Sequence, residues 1–393
     1  MKLARRLDHI EPFYVMECAK AAQQIAASPA CDPARGGERM IFLNIGEPDF
    51  TAPPLVQQAA ERAIRAGRTQ YTDALGLPAL REALSAWYAQ RFGLAIPARR
   101  IMITAGASAA LQLACLALFE AGDEVLMPDP SYPCNRHFVA AVEAVARLLP
   151  TGAGQRFQLD GAAVAQAWGP ATRGVLLASP SNPTGTSIHP DALRDIDAVV
   201  RGHQGVTIID EIYLGLSYDD TFGHSALQLG EHIVSVNSFS KYFSMTGWRL
   251  GWLVLPDALV APVERLAQNL FICASTVAQH AALACFHPES IAEYERRRAE
   301  FKARRDRVVP ALDRLGLQVP VLPDGAFYAY ADCSAHSANS WDFAFELMDR
   351  AHVALTPGRD FGRHDPARWL RLSFASSRDT LDEALHRLQR ALA

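Results

Sequence analysis

The sequence predicts an α/β fold with two domains, on three observations. Apolar runs of strand length, such as residues 206–209, alternate along the chain with segments of helical periodicity. Polar residues directly follow several of these runs, and open α/β sheets bind ligands at the carboxyl ends of their strands. The length of 393 residues exceeds what one small core needs and suits two domains in close contact.

The composition is that of an ordinary globular chain, with half of the residues hydrophobic and a fifth charged. The net charge of −4 favours neither nucleic acid nor an anionic membrane as a partner. The seven cysteines form no C-x-x-C pair and are odd in number, so we expect reduced thiols, no metal site and a cytoplasmic location. We also expect no signal peptide and no membrane span, because the charged N-terminus and the rest of the chain lack a long apolar segment.

The first 40 residues predict a helical arm and a loop. A helix should run from Phe13 to Ala27, and the Pro- and Gly-rich stretch from 29 to 37 should break it. Gly46 opens the sequence G-E-P-D-F, which favours a turn.

Apolar runs of strand length and patterns of helical periodicity also predict the elements that follow. Apolar runs place strands at 100–104, 124–128, 174–178, 206–209, 233–236 and 250–255, with a later one at 369–374. Amphipathic or apolar patterns place helices at 78–91, 109–119, 275–286 and 288–315. The arginines of the last helix are expected to form its solvated face; they are Arg296, Arg297, Arg298, Arg304 and Arg305.

Lys241 lies just beyond the strand at 233–236, in mostly uncharged surroundings. Loss of water there lowers the pKa of a lysine, and the neutral amine can condense with an aldehyde. Ser238 and Ser240 before it and Arg249 after it can bind a phosphate. An aldehyde together with a phosphate describes pyridoxal 5'-phosphate, which the sequence therefore predicts as cofactor.

A second phosphate-binding segment is predicted where Gly106, Ala107 and Ser108 connect a strand to a helix. Free N–H groups and the helix dipole meet at such a helix N-terminus. The alternative is that the small residues only allow tight packing of helix on sheet. The pattern is not G-x-G-x-x-G, so a dinucleotide site is not expected.

The segment from Ser238 to Lys241, with Gly247 and Arg249, resembles the lysine motif of the class I and II aminotransferases, which are fold-type-I pyridoxal phosphate enzymes. Other motifs of that family stand in the same order here, and they are G-E-P-D-F from Gly46, N-P-T-G from Asn182, D-E-x-Y from Asp210 and the late Arg371. The resemblance implies a three-layer α/β/α sandwich with a mostly parallel seven-stranded sheet, plus a smaller α+β domain from both chain ends. It places the N-terminal arm and part of the small domain at 1–45, the large cofactor-binding domain at 46–288 and the rest of the small domain at 289–393.

The resemblance also implies roles around the cofactor ring. Lys241 condenses with the aldehyde and then moves the α-proton of the substrate. Asp210, whose carboxylate at a buried strand end needs a partner, holds the proton of the ring nitrogen, while Glu211 is structural. Asn182 and Tyr213 donate to the ring oxygen. An exposed turn is the competing interpretation of D-E-x-Y.

Further roles concern stacking, the phosphate and the substrate. Tyr132 is expected to stack on the ring. Tyr71 is expected to reach the cofactor phosphate of a partner subunit, which implies a homodimer with shared active sites. Arg371 should clamp the substrate α-carboxylate beside Asn182 and Gly46, and an exposed edge-strand arginine is the alternative.

The implied function is transfer of an amino group between an L-amino acid and a 2-oxo acid by a ping-pong mechanism. The alternatives are a carbon–sulfur β-lyase on the same fold and a cofactor-binding regulatory protein. The second is disfavoured because the roughly 40 residues before Gly46 contain no helix-turn-helix pattern.

The residues that choose the substrate are left open. Arg35, Arg39 and Arg359 could face the site, although a surface position is the default. The segment 28–39 departs from the family pattern, which leaves the substrate lid open as well.

Overall fold

A seven-stranded sheet forms the centre of the computed structural model, which describes residues 2–12 and 14–393. Its strands are β2 (Ile101–Thr104), β3 (Glu124–Asp129), β4 (Val145–Pro150), β5 (Thr172–Ala178), β6 (Val206–Asp210), β7 (Val234–Ser238) and β8 (Gly251–Val254). They lie in the order β2-β8-β7-β6-β5-β3-β4. Strand β8 runs opposite to the other six strands, which are parallel to one another, so the predicted mostly parallel sheet is confirmed.

Helices cover both faces of this sheet, which gives the three predicted layers. The helices are α1 (Tyr14–Ala26), α2 (Pro54–Arg65), α3 (Pro78–Phe92), α4 (Gly106–Leu118), α5 (Pro133–Ala141), α6 (Gly161–Ala167), α7 (Pro190–Gly202), α8 (Asp257–Leu270), α9 (Thr276–Ala282), α10 (Pro288–Arg314), α11 (Ser340–Ala351) and α12 (Arg378–Leu392). Within β5, Val175 and Leu177 pack into one hydrophobic cluster and Leu176 into the other. Burial on both faces explains why these strands are almost continuously apolar.

A smaller part of the molecule is built from both chain ends. Strand β1 (Ile41–Phe42) pairs in parallel with β10 (Val353–Ala354). Strands β9 (Tyr328–Asp332), β11 (Thr356–Pro357) and β12 (Trp369–Ser373) form an antiparallel sheet with β12 in the middle. This arrangement confirms the small α+β part, while the exact domain boundaries at 45 and 288 stay a prediction.

The predicted strands of the central sheet agree with the structure to within two residues at each end. Strand β4 was missed because it lies at the sheet edge, where its residues are exposed or half-buried and show no apolar run. The N-terminal helix α1 ends at Ala26, and Phe13, where the sequence places its start, lies outside the described residues.

The basic face of α10 is not solvated as expected. Arg296 is exposed, but Arg297, Arg304 and Arg305 are buried. Arg304 donates from Nη1 and Nη2 to the two carboxylate oxygens of Asp49, at 2.8 and 3.0 Å. Arg297 donates from Nη1 to the carbonyl oxygen of Thr51 at 2.6 Å. The expectation was wrong because these partners are far away in sequence, and α10 therefore holds the G-E-P-D-F segment in place.

We predict that Arg304→Leu lowers the free energy of unfolding by roughly 2–4 kcal/mol, because Asp49 would keep a partly buried carboxylate without its bidentate partner. Urea unfolding under fixed cofactor conditions measures the loss. The matched control is Arg296→Leu, which removes an exposed ion pair with Glu293 and should cost less than about 0.5 kcal/mol. Equal losses in the two variants would contradict this account of α10.

Candidate active site

The carboxyl ends of β5, β6 and β7 open into a cavity of about 660 Å³. Most of the residues singled out in the sequence come together here. Those that line the cavity are Gly46, Ala107, Ser108, Tyr132, Asn182, Asp210, Tyr213, Ser238, Ser240, Lys241, Arg249 and Arg371. A larger cavity of about 920 Å³ lies against residues 5–11 and α5 and contains none of them, so the smaller cavity is the candidate active site.

Lys241 projects its amine into this cavity and is half-buried. Its Nζ donates to the carbonyl oxygen of Gly46 at 2.7 Å and lies 5.6 Å from the ring centre of Tyr213. Burial and, to a smaller extent, the positive charge of Arg371 together lower the pKa of Lys241 to about 8. About a tenth of the amine is therefore neutral at pH 7, far more than at the ordinary lysine pKa of 10.5.

Asp210 is the last residue of β6 and is only 4% exposed. Its Oδ1 accepts a hydrogen bond from the backbone N–H of Ile212 at 3.1 Å. Burial raises the pKa of this carboxyl to about 7, against the opposing effects of that hydrogen bond and of Lys241. A buried carboxylate in this state is stabilised by a cation, and a protonated ring nitrogen meets that need.

The neighbouring Glu211 follows the end of β6 and is not part of the cavity lining. Its carboxylate accepts hydrogen bonds from Ser225 Oγ at 2.9 Å, Ser235 Oγ at 2.8 Å and the N–H of Ala226 at 2.6 Å. Its hydrogen bonds are thus supplied within the fold. The exposed-turn interpretation of D-E-x-Y is wrong, since Asp210, Glu211 and Tyr213 are all buried.

Tyr328 is a cavity residue to which the sequence analysis gave no role. It begins β9, and its hydroxyl lies 2.8 Å from that of Tyr213. A Cβ atom on residue 46 would lie 2.3 Å from the Tyr328 hydroxyl oxygen, so only glycine fits at that position. The apolar run after Gly325 could have indicated Tyr328 as a strand residue, but its proximity to Gly46 depends on the tertiary fold.

Arg371 lies in β12, the middle strand of the small sheet, and is 3% exposed. Its Nη1 donates to Asn182 Oδ1 at 2.8 Å, and its Nη2 donates to the carbonyl oxygen of Asn44 at 2.6 Å. The Nε of Arg371 has no hydrogen-bond partner. The exposed edge-strand alternative is therefore wrong, and a buried guanidinium with a donor to spare can bind an anion.

The N-terminus of α4 and Arg249 form the cationic end of the cavity. Gly106 has φ +80°, and a Cβ atom there would lie 2.6 Å from Arg249 Nη2. A guanidinium beside the positive end of a helix dipole is unfavourable unless an anion is bound between them. Ser238 lies beside them, where its Oγ accepts from the N–H of Ser240 at 3.0 Å. This set of donors fits the phosphate of pyridoxal phosphate, as Asp210 fits its ring nitrogen.

Of the two tyrosines expected to contact the cofactor ring and phosphate, Tyr132 lines the cavity and Tyr71 does not. Tyr132 lines the cavity just before α5, and burial raises the pKa of its phenol well above its ordinary value. Tyr71 lies outside the cavity, with 79% of its surface exposed. Its predicted contact with a partner subunit stays a prediction, as do the individual roles of the other site residues.

The three arginines left open by the sequence all lie outside the cavity lining. Arg35 pairs with Asp32 at 3.4 Å, and Arg39 pairs with Glu383 at 2.8 Å. The guanidinium of Arg359 lies over the Tyr14 ring, 4.6 Å from its centre.

Within residues 2–12 and 14–393, no group of three or more His, Cys, Asp and Glu side chains is placed to hold a metal ion. Over the same part of the chain, none of the helices combines the length and apolar character that crossing a membrane requires.

An α/β fold with a site that fits pyridoxal phosphate is typical of a pyridoxal phosphate enzyme. Comparison with known proteins identifies the family. A family model described as aminotransferase class I and II matches residues 38–388. The chain belongs to the class I and II aminotransferases. Members of this family generally depend on pyridoxal phosphate and act on amino acids and 2-oxo acids.

Individual relatives cover nearly the whole chain. The chain is 38% identical to a valine–pyruvate aminotransferase of Mycobacterium tuberculosis, over 96% of both sequences. It is 33% identical to a (5-formylfuran-3-yl)methyl phosphate transaminase of Methanocaldococcus jannaschii, over 99% of both. Among solved structures, an aminotransferase from Mycobacterium tuberculosis has a TM-score of 0.94 at 37% identity and covers 100% of this chain and 99% of its own. The aspartate aminotransferase of Thermus thermophilus with maleate has a TM-score of 0.90 at 31% identity, with 100% of both chains covered.

We predict that Gly106→Ala weakens binding of pyridoxal phosphate at least about tenfold, because the added methyl group displaces Arg249 and φ +80° is strained for alanine. Spectroscopic titration of the cofactor-free protein measures the dissociation constant. The control is Gly122→Ala, at φ +88° with open space around the new methyl group. Both variants should lose about 1 kcal/mol of unfolding free energy, and only Gly106→Ala should lose cofactor affinity. Unchanged affinity in Gly106→Ala would exclude this helix N-terminus as the phosphate site.

We predict that Lys241 of the cofactor-free protein reacts with trinitrobenzenesulfonate at half its maximal rate near pH 8, since its lowered pKa leaves the amine neutral above that pH and charged below it. Peptide mass spectrometry resolves the reaction because the chain has only four lysines, Lys2, Lys20, Lys241 and Lys302. Exposed Lys20 gives a reference rate in the same digests. A midpoint at the ordinary lysine value of 10.5 would contradict the effect of burial.

Proposed function

We propose that this aminotransferase moves an amino group between an L-amino acid and a 2-oxo acid, in two half-reactions that use one site in turn. The observation that carries the proposal is the presence, in one cavity, of an amine with a lowered pKa and a buried carboxyl with a raised pKa. Strongly shifted groups that share a cavity are typical of catalytic sites. The relatives act on different donors by name, including valine and aspartate, so the names leave the donor open.

Bound pyridoxal phosphate supplies an aldehyde for exchange of amines and a ring that withdraws electrons from the reacting carbon. The N–H groups at the start of α4, together with Arg249 and Ser238, hold its phosphate. Asp210 holds the proton on the ring nitrogen. A cation beside Asp210 lowers the pKa of that carboxyl from about 7, so the carboxylate is ionised at neutral pH when the site is occupied.

The substrate is held by Arg371, whose Nε is unpartnered and whose Nη1 already orients Asn182. The guanidinium binds the α-carboxylate and turns the α-carbon toward Lys241. The neutral amine of Lys241 would then remove the α-proton and return a proton later in the half-reaction, acting as general base and general acid. Water would then release the first substrate as a 2-oxo acid and leave its amino group with the cofactor. A second 2-oxo acid would accept that group by the same steps in reverse, which is a ping-pong mechanism.

We further propose a cytoplasmic homodimer in which Tyr71 completes the partner's site. The exposed aromatic side chain of Tyr71 supports the contact, because large apolar side chains left in water are frequent at interfaces. The seven cysteines are free thiols, which supports a reducing compartment.

Replacement of Lys241 tests the proposal. Lys241→Ala should lose at least about 1,000-fold in the rate of amino transfer, and borohydride should no longer attach the cofactor's mass to the peptide that contains residue 241. Lys302→Ala changes an exposed lysine on α10 and should retain both properties. Retained turnover in Lys241→Ala would refute the assignment. Release of ammonia and pyruvate from a cysteine conjugate, faster than amino transfer to a 2-oxo acid, would instead favour a β-lyase.

Asp210→Ala separates ring activation from phosphate binding. This variant should lose most of its turnover because nothing holds the ring proton, and it should keep much of its affinity for the cofactor through the phosphate contacts. Half-reaction rates and cofactor titration give the two quantities. An unimpaired rate would contradict the role of Asp210.

A further inference from the structure

One wall of the candidate active site is contributed by α1 and by the residue before Gly46. The residues of this wall are Val15, Met16, Ala19, Gln23 and Ile45. The four from α1 lie one, three or four positions apart and so share one face of the helix. Four members of the wall are apolar, and the remaining one, Gln23, is uncharged.

We propose that this wall receives the side chain of the amino acid, so that the enzyme prefers L-amino acids with neutral, apolar side chains to dicarboxylic ones. The inference rests on the proposed function and adds the substrate class to it.

Among the described residues of this chain that line the cavity, no cation remains for a second substrate carboxylate. Lys241, Asp210 and Arg249 lie at the cofactor end, and Arg371 binds the α-carboxylate. The remaining charged side chain in the lining is Glu47, an acid that accepts a hydrogen bond from Thr246 Oγ1. A distal carboxylate would lose water against apolar side chains and would also meet this negative charge.

Arg359, which the sequence left open as a cation for the site, makes its contacts outside the cavity lining. The guanidinium of Arg359 lies 4.6 Å from the ring centre of Tyr14 and 5.3 Å from that of Trp341, and its Nη2 donates to the Tyr14 hydroxyl at 3.3 Å. Cation–π contacts with two rings hold this charge at the start of α1.

The residue after Arg359, Asp360, holds the wall in position. Asp360 is fully buried, and its Oδ1 accepts the N–H of Tyr14 at 2.9 Å, which satisfies a free donor at the first residue of α1. Met16 and Ile45 keep 54% and 43% of their surface exposed. An apolar substrate side chain would remove this apolar surface from water, which favours binding.

The test measures amino donors in the first half-reaction of the holoenzyme. Rates of change of the cofactor absorbance give kcat/KM for valine, leucine, aspartate and glutamate. The two apolar donors should exceed the two dicarboxylic ones by about 100-fold or more, because a charged group is rejected by an uncompensated apolar site.

Met16→Arg adds a cation to the wall and should raise kcat/KM for glutamate about tenfold while lowering that for valine. The matched control is Gln24→Arg, which adds the same charge to an exposed position of α1 outside the cavity lining and should leave both values unchanged.

Aspartate or glutamate reacting as fast as valine in the wild-type enzyme would overturn the inference and leave the proposed function intact. Equal shifts in Met16→Arg and Gln24→Arg would overturn it too, because the substrate side chain would then not lie on this wall. If no donor changed the cofactor absorbance, the proposed function would fail, and the inference with it.

Discussion

The candidate active site depends on the partial removal of two opposite charges from water. Asp210 ends β6 and Lys241 follows β7, and parallel strands bring their carboxyl ends to the same edge of the sheet. Burial raises the pKa of the acid and lowers that of the amine, so the two values approach each other near neutral pH. The rest of the molecule positions the groups that surround this pair.

Two hydrogen bonds connect the surroundings of the pair to segments near the two ends of the chain. Lys241 donates to the carbonyl oxygen of Gly46, and Arg371 of the small sheet donates to Asn182 at the end of β5. The guanidinium of Arg371 also lies 4.5 Å from the ring centre of Tyr328. Groups from both sheets therefore share one network, and a relative shift of the two sheets would change the site's hydrogen bonds and the charge around Lys241.

The sequence predicted those strands and site residues that a local pattern of apolar and polar residues identifies. Strands buried on both faces are continuously apolar, so β5 and β6 were found together with Asn182 and Asp210 after them. The predictions were incomplete or wrong for features without a local sequence signal, including those that depend on partners distant in sequence. The half-exposed edge strand β4 has no apolar run, the pairing of Tyr328 with Gly46 joins distant segments, and the burial of Arg304 depends on Asp49.

The contacts of α10 make the candidate active site depend on residues that lie outside the cavity. Arg297 and Arg304 bind Thr51 and Asp49, which begin three residues after the glycine whose carbonyl oxygen accepts from Lys241. The position of the catalytic amine therefore depends on a helix that contributes no atom to the cavity lining. Replacement of either arginine would shift the loop that binds this amine as well as destabilise the fold.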